Sequence, residues 1–176
     1  DTGKTRLRLD ALSGREPTAF DIAPTPETLA ALRDRLGLIA LRKVRFAGKI
    51  APDSGRDWRL AAHLGATVVQ PCGITLEPVT TRLEEDVERH YIADWQPPQD
   101  TEVEMPEDDT AEPVPETLDL HALLEESLAL ALPPFPRAPG AEIGSVQAAP
   151  PGAEPLDDGR ENPFGALADL KKKLDP

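Results

Sequence analysis

The chain has 176 residues, including 20 prolines, only 4% aromatic side chains and a formal net charge of −13. So many prolines and so few aromatic residues exclude one dense core over the whole length and favour one domain with flexible extensions. The single cysteine, Cys72, excludes an internal disulfide, and the absence of a long apolar run or a signal peptide predicts a soluble cytoplasmic protein without a membrane partner.

The charges are divided unevenly along the chain. Residues 1–72 contain 12 Lys and Arg against 8 Asp and Glu, whereas the remaining residues contain 7 against 24. A basic front and an acidic back are typical of a nucleic-acid face with an acidic tail that competes for it. The alternative is that the two halves neutralise one another within the fold.

The first predicted elements are a strand and a helix. The segment "PTAFDIAP" at 17–24 is a short strand candidate. A helix over 26–36 follows, because Thr25 is a good N-cap, Pro26 suits the first helical position and Gly37 ends the pattern. Three leucines share one face of this helix at helical spacing: Leu29, Leu32 and Leu36.

A β-hairpin is predicted next. The segments "RKVRFAGKI" and "DWRLAAHLGATVVQ" alternate with period two on either side of the turn signal "PDSG". A slip of one residue would set apolar groups against charged ones, so the pattern favours a defined register. The predicted pairs are Ile50 opposite Trp58, Gly48 opposite Leu60, Phe46 opposite Ala62, and Val44 opposite Leu64.

This hairpin gathers basic residues on the face away from the core. We call Lys43, Arg45, Lys49 and Arg59 the basic row, and they are the candidate RNA contacts; His63 shares their face. The register sets Lys49 directly opposite Arg59, a like-charge pair that an anion could compensate.

A third strand offers an alternative explanation of the basic row. In "RLEEDVERHYI", the apolar residues Leu83, Val87 and Tyr91 lie on one side. The other side carries three acids: Glu84, Asp86 and Glu88. If this strand pairs with the second, its acids could hold the bases in a structural salt network, so phosphate contact and salt network both remain open.

The second half of the chain begins with an acidic segment and a helix. Residues 96–116 contain eight acids and no base, which is typical of a flexible loop. A helix over 119–132 follows, capped by Asp119 and ending before Pro133. Because a three-stranded sheet needs a cover for its apolar face, this helix is expected to return over the sheet of residues 40–92.

The predicted architecture is therefore α+β: a mostly antiparallel β-sheet covered by two helices, with an acidic flexible insertion and a Pro-rich C-terminal tail. One domain spans 1–139. Residues 140–176 form a Pro/Gly/Ala-rich linker and a short C-terminal helix. That helix is marginal alone in water, so it folds on docking to a partner or to its own domain, or else it frays. Its partner-docking candidates are Pro163, Phe164, Leu167 and Leu170.

The sequence contains no recognisable catalytic or metal-binding motif. It lacks a phosphate-binding loop, a dinucleotide glycine pattern and a nucleophile elbow. The histidines His63, His90 and His121 are isolated, and Cys72 has no partner at zinc-ligand spacing. We therefore expect no enzyme, no cofactor and no metal.

Three segments in order resemble the YceD family, which comprises bacterial proteins linked to accumulation of the large-subunit ribosomal RNA. The segments are "ATVVQPCGITLEPVTTRLEEDVERHYI", "LDLHALLEESLALALPPFPRAP" and "NPFGALADLKK". Many members carry a Cys-x-x-Cys pair where this chain has Cys72 and Thr75, and some carry Cys or His where it has "RAPG". The resemblance therefore transfers no zinc site.

The resemblance implies a non-enzymatic factor that promotes 23S ribosomal RNA precursor processing or accumulation and large ribosomal subunit assembly. The implied partner is the ribosomal RNA precursor or a pre-large-subunit particle. The alternative is a protein-binding adaptor that engages a basic ribosomal protein through the acidic arm and the C-terminal helix. The sequence does not determine an oligomeric state.

Overall fold

The computed structural model describes residues 5–96 and 111–142, which form an α+β fold. The elements in chain order are β1 (Arg6–Arg8), a 3-10 turn (Leu9–Ala11), β2 (Thr18–Ile22), α1 (Pro26–Arg35), β3 (Ala40–Pro52), β4 (Trp58–Pro71), β5 (Pro78–Ile92), β6 (Ala111–Pro113), β7 (Thr117–Asp119) and α2 (Leu120–Ala131). The predicted class, a mostly antiparallel sheet with two helices, is confirmed. The C-terminal tail and most of the acidic insertion lie outside the described residues.

The main layer is a five-stranded sheet in the order β2-β3-β4-β5-β6. Strands β2 to β5 are antiparallel to their neighbours, and β6 pairs in parallel with the end of β5. A second, two-stranded sheet joins β1 to β7. Strands β1, β6 and β7 were not predicted from the sequence, because each has only three residues and β6 lies within the segment assigned to the acidic loop.

Both helices begin at the predicted caps. The Thr25 hydroxyl accepts a hydrogen bond from the Thr28 N–H at 3.3 Å, and an Asp119 carboxylate oxygen accepts from the His121 N–H at 3.0 Å. After α1, Gly37 adopts a φ of 63°, the left-handed conformation that glycine allows at a helix end. Within the described ranges, neither helix is long and apolar enough to cross a membrane.

Helix α2 covers the sheet as predicted. Its residues Leu120, Leu124 and Leu128 have no accessible surface and belong to the same core cluster as the inward-facing side chains of β3 and β4. Those inward-facing side chains include Phe46, Ile50, Leu60 and Leu64. The two helices are joined by a bidentate ion pair between Arg35 and Glu125, with N–O distances of 2.6 and 2.7 Å. The apolar stripe of α2 is therefore buried because it supplies one wall of the core.

The predicted register of the β3–β4 hairpin is wrong by two residues. Ile50 pairs with Leu60 rather than Trp58, and the hairpin continues to the pair Pro52 and Trp58. The register is set by the turn, where the Asp53 N–H donates to the Asp57 carbonyl at 2.9 Å. Because side chains alternate with period two, a slip of two residues leaves every side chain on its original face. The hydrophobic pattern cannot detect such a slip.

The other predicted pairs are shifted in the same way. Gly48 pairs with Ala62 and Phe46 pairs with Leu64, whereas Val44 lies in the irregular part of the β3–β4 ladder. The predicted opposition of Lys49 and Arg59 is also wrong. Lys49 pairs with Ala61, and Arg59 pairs with Ala51. No like-charge pair crosses the hairpin at these two positions.

A β-bulge interrupts β3 between Arg42 and Arg45. Lys43 adopts a φ of 52° within it, so Arg42 and Lys43 are both exposed while Leu41 and Val44 are both buried. A bulge places two residues opposite one and re-aims the side chains around it. Strict alternation therefore fails at this point of the chain.

Candidate nucleic-acid interface

The sheet face opposite α2, which we call the open face, carries most of the charged side chains of β3, β4 and β5. Its centre is floored by small residues, Ala19, Ala47 and Ala61, which line a shallow hollow of about 480 Å³. Lys49 and His63 stand at the rim of this hollow. Because the floor is low, long charged side chains at the rim project beyond it.

The basic row lies on or beside the open face, and all four of its side chains are exposed. Arg45 makes a bidentate ion pair with Asp21 of the neighbouring strand β2, at 2.9 and 2.6 Å. Arg59 lies 3.7 Å from Asp53 in the hairpin turn. Within residues 5–96 and 111–142, Lys43 and Lys49 form no ion pair.

The Arg45–Asp21 pair is a surface interaction. The two side chains are 68% and 53% exposed, so solvent screens the pair and its contribution to stability is small. The hydrogen bonds from Arg45 still hold the pKa of Asp21 below its ordinary value. The outer edge of the guanidinium remains accessible to a ligand.

Arg82 of β5 crosses over β4 to reach the bulge in β3. Its Nη1 donates to the Lys43 carbonyl at 3.3 Å, and its Nη2 lies 2.7 Å from Glu84. This path exists because residue 65 is glycine: a Cβ there would lie 2.7 Å from the Arg82 guanidinium. Arg82 therefore fixes the bulge that carries Arg42 and Lys43.

His63 lies between two carboxylates near the centre of the open face. Its Nδ1 is 2.8 Å from Asp86 and its Nε2 is 2.8 Å from Glu84. An ionised carboxylate only accepts hydrogen bonds, so satisfying both requires the doubly protonated imidazolium. The hydrogen bonds to Asp86 and then to Glu84 raise the pKa of His63 above its ordinary value.

We expect this raised pKa to be measurable by NMR titration of the His63 ring. Asp86→Asn should lower the pKa of His63, since it removes the larger of the two interactions. Because the folded pKa is raised, the contribution of His63 to stability is full below the unfolded pKa and is lost as pH rises through the folded pKa. Glu77→Gln, at an exposed site in the β4–β5 turn, is the matched control. An unchanged His63 pKa in Asp86→Asn would contradict the assigned contacts.

The predicted salt network is present in a different form. Glu84 and Asp86 of β5 do bind a base of β4, but that base is His63 rather than a member of the basic row. The acids beside Arg45 and Arg59 come from β2 and from the hairpin turn. The acids of β5 therefore leave Lys43 and Lys49 uncompensated.

Arg42 and Arg82 also belong to this surface and were not predicted from the sequence. Arg82 and Glu84 are two residues apart in β5 and therefore lie on the same face. The alternation of side chains along a strand could thus have placed Arg82 on the open face. Arg42 could not be found this way, because the bulge breaks the alternation after it. With these two, β3 and β5 present a group of bases around the bulge.

Cys72 is buried beneath the segment that follows α2. Its Sγ accepts hydrogen bonds from the N–H groups of Ile74 and Thr75, both at 3.4 Å, and from the Ala138 N–H at 3.3 Å. Hydrogen bonds from Thr75, and then from the Ala138 and Ile74 backbone, lower the pKa of Cys72 to about 6. The "RAPG" segment at 137–140 thus lies against Cys72.

This arrangement does not fit a zinc ion. Structural zinc needs four ligands, usually Cys and His, and here one sulfur is accompanied by Thr75 and by backbone groups of 137–140. Within residues 5–96 and 111–142, no group of three or more His, Cys, Asp or Glu side chains could hold a metal. The sulfur instead ties the β4–β5 turn to the segment after α2.

A family model described as "Large ribosomal RNA subunit accumulation protein YceD" matches residues 60–171, which is more than half of the chain. The chain belongs to the YceD family. This YceD protein therefore has a role connected with accumulation of the large-subunit ribosomal RNA, and the family description names no catalytic activity. No curated protein and no solved structure matches the chain.

The matched region of this YceD protein starts within β4 and contains β5, β6, β7, α2 and the Cys72 contact. It does not contain the basic row, since all four residues precede residue 60. The predicted docking residues Pro163, Phe164, Leu167 and Leu170 fall inside the match but outside the described residues.

Proposed function

We propose that this YceD protein is a non-enzymatic cytoplasmic factor that promotes 23S ribosomal RNA precursor accumulation and large-subunit assembly by direct contact with RNA. The contact surface is the open face around the bulge of β3, including Lys43, Arg45, Lys49 and Arg59. Family membership supports the ribosomal role. The observation that carries the proposed contact is the exposure of Arg42, Lys43 and Lys49 on β3, which form no ion pair among the described residues.

Uncompensated cations are the groups that bind phosphate most readily. Arg42, Lys43 and Lys49 are exposed, and none of them forms an ion pair within the described part of the chain. A lysine or arginine that neutralises a phosphate releases condensed counterions, which gives affinity without base specificity. A cation already held by a carboxylate would lose that interaction on binding, and among the described residues these three cations have no such ion pair to lose.

The overall charge of −13 restricts how RNA can approach. Acids dominate the chain after residue 72, so they repel phosphate and disfavour non-specific binding. Because Glu84, Asp86 and Glu88 lie on the β5 side of the open face, the proposed RNA contact is confined to the β3 side. This gives a defined orientation with few contacts, which suits a factor that binds transiently to a maturing particle.

The test is ultraviolet crosslinking in cells with the full-length protein, followed by sequencing of the bound RNA and identification of the crosslinked peptides. We expect enrichment of 23S precursor RNA and crosslinks on peptides that contain residues 42–59. Cells without irradiation provide the control. Recovery of ribosomal proteins without RNA crosslinks would contradict direct RNA contact and favour the adaptor alternative.

A further inference from the structure

Among the described residues, the outer edge of β5 has no strand partner over most of its length. Strand β5 spans Pro78–Ile92 and pairs with β4 throughout, but β6 pairs only with residues 90–92 on the other side. Within residues 5–96 and 111–142, residues 79–89 have no strand partner on this outer edge. Alternate N–H and C=O groups there point away from β4, where another strand could pair with them. The Glu88 carbonyl already accepts a hydrogen bond from the Arg89 Nη1 at 3.1 Å.

A groove of about 640 Å³ runs beside this edge, between β5 and the C-terminal end of α2. Its apolar lining includes Val87 from β5 and Leu130 and Pro133 from α2 and the residues after it. Leu130 is 75% exposed although it is on a helix that packs its other leucines into the core. We call this feature the edge groove. An exposed leucine beside unpaired backbone groups is the arrangement that peptide-binding sheets use.

The edge groove is strongly acidic. Glu85, on the same face as Val87, and Glu88, next to Val87 on the open face, are exposed and form no ion pair in the part of the chain that the structure describes. Arg89, the one base among the described residues that line the groove, is only 15% exposed at its side chain and is bound to Glu126 at 2.8 Å. The net charge presented to a ligand is therefore negative, and the complementary ligand is basic.

The two faces of β5 specify the pattern of that ligand. On the α2 side an added strand would meet Leu130, the apolar lining and Glu85, whereas on the open face it would meet Glu84, Asp86 and Glu88. Because side chains of a strand alternate between faces, the matching segment alternates apolar residues with Lys or Arg. Residues 97–110 of the chain itself are acidic and without a base, so they do not match this surface.

We infer that the edge groove binds an extended, basic segment of another protein by strand addition to β5. The backbone of the segment would hydrogen-bond to the outer edge of β5, its apolar side chains would contact Leu130, and its bases would neutralise the acids on both sides of Val87. The edge groove lies entirely within the region matched by the family model. The inference does not depend on RNA contact through β3, which uses the opposite part of the sheet.

The probe is a fluorescent peptide of about ten residues that alternates Val and Lys, which is the length of a long strand. A peptide alternating Gly and Lys has the same charge and no apolar face. We expect the Val–Lys peptide to bind the full-length protein at least about tenfold more tightly. In NMR-detected hydrogen exchange, it should slow alternate amides between Thr80 and Glu88, because strand addition protects only the outward N–H groups.

Two variants test the lining. Leu130→Lys and the double variant Glu85→Lys/Glu88→Lys should each weaken peptide binding by about tenfold, since each removes one source of complementarity. Glu16→Lys/Glu116→Lys changes the net charge equally at exposed sites outside the groove, and it should leave affinity within about twofold. Circular dichroism melting of all variants establishes that they are folded.

Several results would overturn the inference. Equal binding of the Gly–Lys peptide would show only non-specific charge attraction. Absence of slowed exchange in residues 80–88 would show that the peptide does not add to β5. Protection of these amides before peptide addition would mean that the chain itself occupies the edge. A dimer in sedimentation that Leu130→Lys dissociates would mean that a second copy occupies it.

Discussion

Reversing the charge of Lys43 and Lys49 together, to Lys43→Glu/Lys49→Glu, should weaken association with 23S precursor RNA and leave the melting temperature unchanged. Neither lysine forms an ion pair within the described residues, so the double variant breaks no ion pair among those residues. Each phosphate contact contributes roughly one unit to the log–log slope of affinity against salt, so the slope should flatten by about two units. The measurement is a salt titration of RNA binding with a parallel thermal melt.

The matched control is Arg15→Glu/Arg137→Glu, which produces the same change in net charge at two exposed arginines away from the open face. Its salt slope should remain that of the unmodified protein. If both double variants lose affinity equally, the effect is one of net charge rather than of the open face. Normal RNA association with a lowered melting temperature would mean that the basic row is structural.

Arg45→Glu tests a member of the basic row that has two roles, as a candidate phosphate contact and as the ion-pair partner of Asp21. It removes a phosphate-binding cation and also places a new carboxylate beside Asp21, which now accepts both donors of Arg45. We therefore expect weaker RNA association together with a small loss of stability. This joint effect contrasts with that of Lys43 and Lys49, where only association should change.

Truncating Leu124 in α2 should destabilise the fold strongly. Leu124 has no accessible surface and packs in the main core cluster, so Leu124→Ala should lower the free energy of unfolding by about 2–5 kcal/mol. Total stabilities are on the order of 5–15 kcal/mol, so this loss is a large part of the whole. Urea denaturation monitored by circular dichroism measures it.

Leu130→Ala provides the control from the same helix and the same residue type. Because Leu130 is 75% exposed, its truncation should change the free energy of unfolding by less than about 0.5 kcal/mol. Equal denaturation midpoints for the two variants would contradict the assignment of α2 as the cover of the sheet. If Leu130→Ala alone lowered the free energy of unfolding strongly, Leu130 rather than Leu124 would be the residue that α2 packs into the core.

The proposed RNA contact and the edge groove differ in their position relative to the family match. The edge groove, α2 and Cys72 all lie within the region that identifies the family, whereas β3 and its cations precede it. A failure of peptide binding would therefore leave the family role untouched, and a failure of RNA contact through β3 would leave the edge groove untouched. Together, the two surfaces would let one small protein contact RNA and a basic protein segment at once.

Local sequence determined the elements whose signals are local. Helix α1 follows from Thr25, Pro26 and Gly37, and α2 follows from Asp119 and its leucine stripe, because caps and helical periodicity act within a few residues. The period-two pattern likewise placed Arg45, Lys49 and Arg59 on the face away from the core. Coverage of the sheet by α2 was also predictable, since an apolar sheet face must be buried.

Only the tertiary structure decided the contacts that depend on register and on short strands. A two-residue slip preserves every face, so the turn at Asp53–Asp57 had to set the pairing of β3 with β4. The bulge at Lys43, the path of Arg82 over Gly65 and the Arg45–Asp21 pair follow from that pairing. The open edge of β5 depends on how briefly β6 pairs with it, which is a property of strands distant in sequence. Sequence therefore determined which residues are charged and which face they share, and the fold decided which of those charges remain without a partner.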